Sequence, residues 1–418
     1  MSTVSELVER ARAAQAVLEG YSQEQVDTLV RAIGKFVYDN AEDLAMRAVE
    51  ESGMGVYEDK VAKCYGKSKN IWNSLKGKKS VGVIEVNEET GIMKVGKPKG
   101  IVAAVTPVTN PVVTPMCNAM FAIKGRNAII IAPHPKTKKV NKYVVDSFRD
   151  ILVSLGAPAD AIQTIEEPSL DLTDELMASV DVVIATGGGS MVKAAYSSGK
   201  PALGVGPGNV QTILDRDIDL EVEIPKVIAG RIFDNGIICS GEQSIIAPRE
   251  QYDEIIDIFV KNGAFYVDNE EDLAKFREAI FPGGGPISRK IVGQSVQTVA
   301  KLAGVAVPEG TKVIILKADK HGKEEQLCRE KMCPCMVALK YDTFEDAVQI
   351  AKDNLLFEGA GHTTSLHSNN MDHIRYAGEV LPISRLIVNQ PSSTGAGGAL
   401  NNGFSPTTTL GCGSWGGN

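Results

Sequence analysis

The spacing of apolar residues predicts amphipathic helices over the N-terminal part of the chain. Two capping boxes, Thr3-x-x-Glu6 and Ser22-x-x-Gln25, mark the starts of two such helices. After the second box, apolar side chains recur at the spacing of one helical face, at Val26, Leu29, Val30, Ile33 and Val37. Residues 60–76 predict a further helix.

A second pattern, short runs of β-branched and apolar residues, predicts strands in the rest of the chain. Residues 83–86 and 92–95, which flank Gly91, predict a β-hairpin. From Gly100 onward the apolar runs alternate with amphipathic stretches, which is typical of a parallel sheet covered by helices on both faces. The predicted strands are 101–105, 128–132, 181–185, 202–205, 243–247, 313–316, 336–340, 363–367 and 385–389. The pattern therefore predicts an α/β protein with two halves that join near residues 217–234.

Composition and charge exclude several classes of protein. The 418 residues suffice for two or three domains, and 43% hydrophobic and 23% charged residues are ordinary for a globular enzyme. A net charge of −8 without a long basic run argues against nucleic acid as a partner. No apolar stretch approaches the ~20 residues that span a membrane. The N-terminus lacks the apolar core of a signal peptide, and the 7 cysteines are an odd number, as expected for reduced thiols in a cytoplasmic protein.

One cysteine stands out by its place. Cys239 lies in the stretch FDNGIICSGEQSIIAP, just beyond the expected junction of the two halves, and clefts between domains are common ligand sites. A thiol at this position is compatible with a core filler, a metal ligand or a nucleophile, and buried cysteines usually only fill a core.

Two further stretches could serve such a cleft. Residues 184–210, IATGGGSMVKAAYSSGKPALGVGPGNV, place a glycine-rich turn between a strand and a helix, which suits a phosphate, although the spacing is not G-x-G-x-x-G. A tight-turn loop accounts for these glycines equally well. In TPVTNP, residues 106–111, Asn110 is either a turn residue or an oriented amide donor.

Taken together, five stretches resemble the CoA-acylating branch of the aldehyde dehydrogenase superfamily. They occur in the order GIVAAVTPVTNP, GRNAIIIAPHPKTK, IATGGGSMVKAAYSSGKPALGVGPGNV, FDNGIICSGEQS and LGCGSWGGN. The resemblance implies two α/β domains: a cofactor-binding domain with a nucleotide-binding sheet at 1–223 and a catalytic domain at 224–394. It also implies a homo-oligomer, dimer or tetramer, with the hairpin near 81–96 as its oligomerisation element. Residues 395–418 are expected to form a returning segment, which looks truncated at Asn418 because family members continue further.

The resemblance assigns chemistry to particular residues. It makes Cys239 the nucleophile that forms a thiohemiacetal and then a thioester with the aldehyde. The Asn110 side chain and the Cys239 backbone N–H would stabilise the oxyanion, and His362 would assist the thiol or CoA, with a structural role as the alternative. Val205 stands where hydrolytic members carry a glutamate base, which favours CoA over water as the acyl acceptor, although valine also suits a buried strand.

The same resemblance implies NAD or NADP as the cofactor. Glu330 would hold the nicotinamide ribose, unless it is only a surface glutamate, and the lysines after Pro135 are compatible with the 2′-phosphate of NADP. The spacing of Cys333 and Cys335 is not supported by nearby histidines or a second cysteine pair, so no metal site is expected. The expected cofactor-binding residues are Thr106, Pro107, His134, Pro135, Thr186, Gly187, Gly188, Gly206, Gly208 and Glu330.

The identity of the aldehyde is the least determined point. The chain resembles sulfoacetaldehyde dehydrogenases most, which makes sulfoacetaldehyde the leading small aldehyde, with acetaldehyde and succinate semialdehyde as alternatives. Ser392, Ser393 and Thr394 could donate hydrogen bonds to an anionic substrate tail, or they could form a turn. A non-catalytic nucleotide-binding or filament-building subunit is the alternative of a different class. The presence of both Cys239 and Asn110 favours the enzyme.

Overall fold

The computed structural model describes residues 2–399 and 401–410 and divides them into two compact units. The first unit holds residues up to 53, 60–204 and 405–409, and the second holds 54–59, 205–404 and 410. The longest stretch of the first unit ends at Gly204, and the domain bounds 1–223 and 224–394 stay predictions. The functions of the two domains stay predictions, and the part of the expected C-terminal segment at 411–418 lies outside the described residues.

The first half of the chain contains eight α-helices and seven strands in the described residues. The helices are α1 (Val4–Glu19), α2 (Gln23–Asp39), α3 (Ala41–Ser52), α4 (Tyr57–Leu75), α5 (Val113–Lys124), α6 (Lys138–Ser154), α7 (Leu170–Ser179) and α8 (Gly189–Ser197). The strands are β1 (Gly82–Asn87), β2 (Ile92–Gly96), β3 (Ile101–Thr106), β4 (Ala128–Pro133), β5 (Ile162–Thr164), β6 (Val182–Thr186) and β7 (Ala202–Val205). Both predicted capping boxes are confirmed, since the hydroxyls of Thr3 and Ser22 accept from the backbone N–H groups of Glu6 and Gln25.

A five-stranded sheet in the order β5-β4-β3-β6-β7 forms the centre of the first unit. Strand β3 is parallel to β4 and to β6, and all six of its residues are buried. Val102 and Ala104 pack on one face against α2 and α5, while Ile101 and Ala103 pack on the other against α1 and α7. A fully buried valine or isoleucine side chain contributes about 1.5–3 kcal/mol, so the covered faces stabilise the sheet.

The predicted hairpin is confirmed as the antiparallel pair of β1 and β2. Its apolar side chains are exposed, namely Val83, Val86, Ile92, Met93 and Val95. The part of this hairpin in oligomerisation stays a prediction. Among the described helices, none is both long enough and apolar enough to cross a lipid bilayer.

The second unit is built on seven parallel strands in the order β10-β11-β12-β9-β8-β13-β14. These strands are β8 (Gln211–Leu214), β9 (Ser244–Pro248), β10 (Ala264–Val267), β11 (Val313–Lys317), β12 (Cys335–Tyr341), β13 (Thr363–His367) and β14 (Arg385–Val388). Its helices are α9 (Leu220–Ile232), α10 (Tyr252–Lys261), α11 (Glu270–Ile280), α12 (Val296–Ala303), α13 (Phe344–Phe357), α14 (Met371–Val380) and α15 (Ser392–Gly395). Helices cover both faces of the sheet, so the predicted α/β class is confirmed for both units.

Candidate active site

The five-stranded sheet reverses its strand order between β3 and β6. The chain leaves β3 toward β4 and β5 on one side and later returns on the other side as β6. In open α/β sheets, ligands bind at the carboxyl ends of the strands that flank such a switch point. Val105 pairs with Ala185, so Thr106 and Thr186, the next residue of each strand, lie side by side at this edge.

The predicted cofactor residues of the first unit gather at this switch point. Thr106 and Pro107 end β3, and Thr186, Gly187 and Gly188 lead from β6 into α8. The buried Thr186 Oγ1 has no hydrogen-bond partner in the described part of the chain. Gly188 provides no side-chain cap to α8, and a Cβ there would meet no atom within 4 Å.

His134 and Pro135 follow the neighbouring strand β4 and are exposed. The His134 Nδ1 accepts from the Lys136 N–H at 3.1 Å. The N-terminus of α6 begins just beyond, and the Glu51 carboxylate caps it by accepting from the N–H groups of Lys139 at 2.8 Å and Val140 at 2.7 Å.

Asn110 lies four residues beyond β3, within the same unit. Its Oδ1 accepts a 2.8 Å hydrogen bond from Lys63 Nζ, and its Nδ2 donates a long one of 3.4 Å to Thr109 Oγ1. The side-chain amide is therefore oriented by its surroundings. The sequence did not single out Lys63.

The chain enters the Cys239 loop through a strained turn. Asp234 and Asn235 have φ values of 55° and 53°, in the left-handed region that few non-glycine residues occupy. Asp59 accepts from the Asp234 N–H at 2.7 Å, and Asp234 accepts from the Val56 N–H at 2.8 Å. These bonds hold the turn, whose residue types are the ones that best tolerate this backbone conformation.

Cys239 differs in exposure from the other described cysteines. The residue is half-buried, whereas the remaining five described cysteines, Cys64, Cys117, Cys328, Cys333 and Cys335, are buried. The core-filler interpretation therefore applies to those five rather than to Cys239. Cys412 lies outside the described residues.

Gly208 lies directly against the backbone of Cys239. A Cβ at position 208 would come within 1.6 Å of the Cys239 carbonyl oxygen, so only glycine fits. The N–H of Gly208 donates to Glu330 Oε1 at 2.8 Å. Three residues predicted for the site, Gly208, Cys239 and Glu330, are thus brought together within the second unit. Gly206, two residues before Gly208, is also buried.

Arg231, which the sequence did not single out, fixes this loop from inside. The side chain is fully buried at the end of α9, and all of its hydrogen bonds within the described residues go to backbone carbonyls. Its acceptors are Glu242 at 3.0 Å, Gly236 at 3.2 Å, Cys333 at 3.0 Å and the carbonyl of Lys331. Arg231 therefore ties both sides of the Cys239 loop to the segment that carries Glu330.

Glu242 is a second buried ionisable residue that the sequence analysis did not single out. Its Oε1 accepts from the Ser392 N–H at 2.5 Å, and its Oε2 has no partner in the described part of the chain. Burial raises the pKa of this carboxyl to about 8, so it is mostly protonated at neutral pH. The side chain lies over Gly230, where a Cβ would come within 2.0 Å of Oε2, and thus links α9 to α15.

Glu330 and its neighbours form a charged, poorly hydrated segment. Burial, then the nearby Glu358 carboxylate, raises the pKa of Glu330 to about 7. Burial, then the Arg231 guanidinium, lowers the pKa of Lys331 to about 8. The thiol of Cys335 donates to Cys333, which lowers the pKa of Cys333 and raises that of Cys335. These two thiols are therefore partners of each other inside the core.

His362 is fully buried directly before β13. Its Nδ1 shares a 2.9 Å hydrogen bond with Thr363 Oγ1, while its Nε2 has no partner within residues 2–399 and 401–410. Burial, then the charge of Arg385, lowers the pKa of the imidazole to about 3. The ring is neutral at physiological pH and is a weak base.

The serines predicted to contact a substrate tail lie in α15, close to the Cys239 loop. Ser240 Oγ donates to the Ser393 carbonyl at 3.4 Å, and the Cys239 side chain packs against a small cluster that includes Ile387 and Ala396. The hydroxyls of Ser392 and Ser393 are buried, and within the described residues neither has a hydrogen-bond partner. Thr394 is exposed and donates to the Pro391 carbonyl.

Comparison with known proteins places this geometry in a family. Residues 1–272 match the model of the aldehyde dehydrogenase family. The chain is 62% identical over 416 residues to a succinate-semialdehyde dehydrogenase (acetylating) of Clostridium kluyveri, covering 100% of this chain and 91% of the relative. It is 43% identical to a sulfoacetaldehyde dehydrogenase of an Acholeplasma species, covering 98% and 86%. The crystal structure of a probable aldehyde dehydrogenase from Listeria monocytogenes superposes with a TM-score of 0.96 at 38% identity, covering 99% of this chain and 91% of that one. The chain therefore belongs to the aldehyde dehydrogenase family, in its CoA-acylating branch.

Proposed function

We propose that the protein oxidises a small aldehyde with NAD or NADP and transfers the resulting acyl group to CoA. Aldehyde, CoA and the oxidised cofactor yield acyl-CoA, the reduced cofactor and a proton. The observation that carries this proposal is that Cys239 is half-buried, whereas the other five described cysteines are buried. Its loop is held rigidly by Arg231 and by contact with Gly208.

Cys239 supplies the nucleophile. Its thiolate adds to the carbonyl carbon of the aldehyde, and the carbonyl electron pair moves onto the oxygen. Asn110 Nδ2 and the Cys239 N–H stabilise this oxyanion, and one such donor is worth about 3 kcal/mol of barrier. When the oxyanion collapses, a hydride leaves the carbon and the acyl group stays on the sulfur as a thioester.

The switch point between β3 and β6 is the proposed cofactor site. The unpartnered Thr186 hydroxyl and the uncapped N-terminus of α8 both suit a dinucleotide. The adjoining strand ends carry Thr106, Pro107, His134 and Pro135. Glu330 and the Gly206–Gly208 turn are proposed to bind the nicotinamide end of the cofactor. A bound nicotinamide supplies the acceptor for the hydride.

The absence of a carboxylate base at position 205 supports CoA rather than water as the acyl acceptor. Val205 is 1% exposed and carries no base, so water has no activating group there. CoA can attack the thioester as its own thiolate, and Cys239 leaves as a thiolate. His362 is proposed to assist this step through Nε2, and its low pKa limits it to hydrogen bonding rather than to storing a proton.

Succinate semialdehyde is the aldehyde we propose first. The relative named for this substrate is 62% identical, whereas the relative named for sulfoacetaldehyde, which the sequence alone put first, is 43% identical. Both aldehydes carry an anionic tail, and the unpartnered hydroxyls of Ser392 and Ser393 suit such a tail. Acetaldehyde has no polar tail and remains the alternative.

The test is the formation of reduced cofactor with a panel of aldehydes, with and without CoA. Without CoA, we expect about one reduced cofactor per active site and then near silence, because the acyl group waits on Cys239. CoA should restart turnover and release acyl-CoA. Steady turnover without CoA, with a free acid as product, would overturn the proposal.

Variants separate the thiol from the fold. Cys239→Ala should abolish the first burst and leave cofactor binding within a few-fold. Cys117→Ala, which removes a buried thiol in α5, should keep the burst. If the wild-type protein binds the cofactor yet oxidises none of the aldehydes, the non-catalytic subunit becomes the better interpretation.

A further inference from the structure

We propose that Lys63 is a positioning residue that fixes the orientation of the Asn110 side-chain amide. The inference deepens the proposed function, since it rests on Asn110 as the oxyanion donor. Both residues belong to the first unit, and Lys63 Nζ donates to Asn110 Oδ1 at 2.8 Å.

The chemistry of the two groups determines which end of the amide faces which way. An ammonium group has three donors and no acceptor, whereas the two ends of an asparagine amide differ, one accepting and one donating. Rotation of the Asn110 amide by half a turn would place its NH₂ against the ammonium of Lys63. Lys63 therefore holds the oxygen on its own side and directs the NH₂ away.

The position of Lys63 makes this restraint strong. The residue is 8% exposed on α4, and Ala45, Ala48 and Cys64 line the same small cavity as Lys63 and Asn110. A buried ammonium is poorly solvated, so its hydrogen bonds contribute more than they would in water. Without Lys63, the 3.4 Å bond to Thr109 would be the only hydrogen bond left to the amide among the described residues.

Lys63 also makes the amide a better donor. A cation on the oxygen draws electron density from the nitrogen and makes its N–H groups more positive, which is the cooperative effect of a hydrogen-bond chain. The gain is largest when the amide faces a full negative charge, as it does in the oxyanion. Lys63 should therefore act on the transition state more than on substrate binding.

A double-mutant cycle tests the proposal. Asn110→Ala is expected to lower kcat about a hundredfold or more. Lys63→Met should lower kcat about tenfold or more, with the KM for the aldehyde within a few-fold, whereas in the Asn110→Ala background it should change kcat less than about twofold. Equal effects of Lys63→Met in both backgrounds, or no effect, would overturn the inference.

Lys60→Met is the matched control. Lys60 is a buried lysine of the same helix and cavity, but it makes no hydrogen bond to Asn110, so its effect should be the same in both backgrounds. If Lys63→Met does not fold, Lys63→Gln replaces it in the test, because the amide NH₂ of glutamine can still donate a hydrogen bond without a charge. Lys63→Gln should then retain more activity than Lys63→Ala, and equal activity of these two variants contradicts the proposal. If Asn110→Ala leaves kcat unchanged while Cys239→Ala abolishes it, the oxyanion assignment fails rather than the nucleophile.

Discussion

Gly208 and Cys239 are in backbone contact, with the Cys239 carbonyl placed where a side chain at 208 would begin. Gly208→Ala should therefore push the Cys239 loop away and lower kcat about a hundredfold or more, because small displacements of a nucleophile cost that much. Gly66→Ala in α4 is the control, since a Cβ there meets no atom within 4 Å. Normal turnover of Gly208→Ala would show that the loop can move without loss.

Arg231→Lys should destabilise the protein by about 3 kcal/mol or more. A lysine cannot reach the four carbonyls of the guanidinium fork, and each buried carbonyl left without a donor costs about 1–3 kcal/mol. Urea unfolding measures the change. Arg249→Lys, which alters an exposed pair with Asp342, should have no measurable effect.

Glu242→Gln should stabilise the protein at neutral and alkaline pH. The pKa of Glu242 is raised to about 8 in the folded protein from its ordinary 4.5. The folded state therefore holds a proton that the unfolded state releases, so wild-type stability falls as pH rises from about 4.5 to about 8. Glutamine does not titrate. The gain should be near zero at pH 4.5 and reach about 3 kcal/mol at pH 7. An equal gain at both pH values would contradict the assignment.

The KM for the cofactor should depend on the charge of Glu330. Its pKa is raised to about 7, so lowering the pH from 8 to 6 protonates the carboxylate and weakens it as an acceptor. The KM for the cofactor should rise about tenfold over this range in the wild type, and should be high and flat in Glu330→Gln. ADP, which lacks the nicotinamide ribose, should bind both proteins equally. A flat wild-type profile would contradict the ribose contact.

Ser392→Ala and Ser393→Ala should distinguish anionic from neutral aldehydes. If the two hydroxyls bind a carboxylate, the KM for succinate semialdehyde should rise about tenfold in one or both variants. The KM for butyraldehyde, which has the same chain length without the carboxylate, should change little. An equal change for both aldehydes would indicate a structural role in α15.

Most of the strands could be predicted from hydropathy, and two of the three that could not have clear physical reasons. β5 is only three residues long. The length of β10 does not explain why it was missed, because β7 also has four residues and was predicted. β8 lies in the middle of its sheet but begins with the fully buried polar residues Gln211 and Thr212. The amide oxygen of Gln211 accepts from Ser244 and Asn354, whereas the Thr212 hydroxyl has no hydrogen-bond partner in the described part of the chain. A buried strand with a polar start does not have the apolar run that marks the others.

The candidate site could be predicted only in part from the sequence, for a different reason. Cys239, Asn110 and Glu330 occur in recognisable stretches, whereas the groups that hold them are distant in sequence. Lys63 is 47 residues from Asn110, and Arg231 is 102 residues from Cys333. A charge such as Arg231 that follows the apolar run at the end of α9 was the available signal, since buried charges need partners.

The cap on α6 has a consequence for cofactor selection. The two oxygens of Glu51 already occupy the backbone N–H groups of Lys139 and Val140, and their charge offsets the positive end of the helix dipole. Lys138 is likewise engaged, by Glu167. If NADP binds as proposed, its 2′-phosphate would lie beside His134, where the Glu51 carboxylate already binds the N-terminus of α6. Any preference for NADP must therefore come from side chains that bind the phosphate strongly enough to displace or outweigh the Glu51 carboxylate. Replacing Glu51 would therefore be the first step toward a NADP-selective enzyme, at the expense of the helix cap.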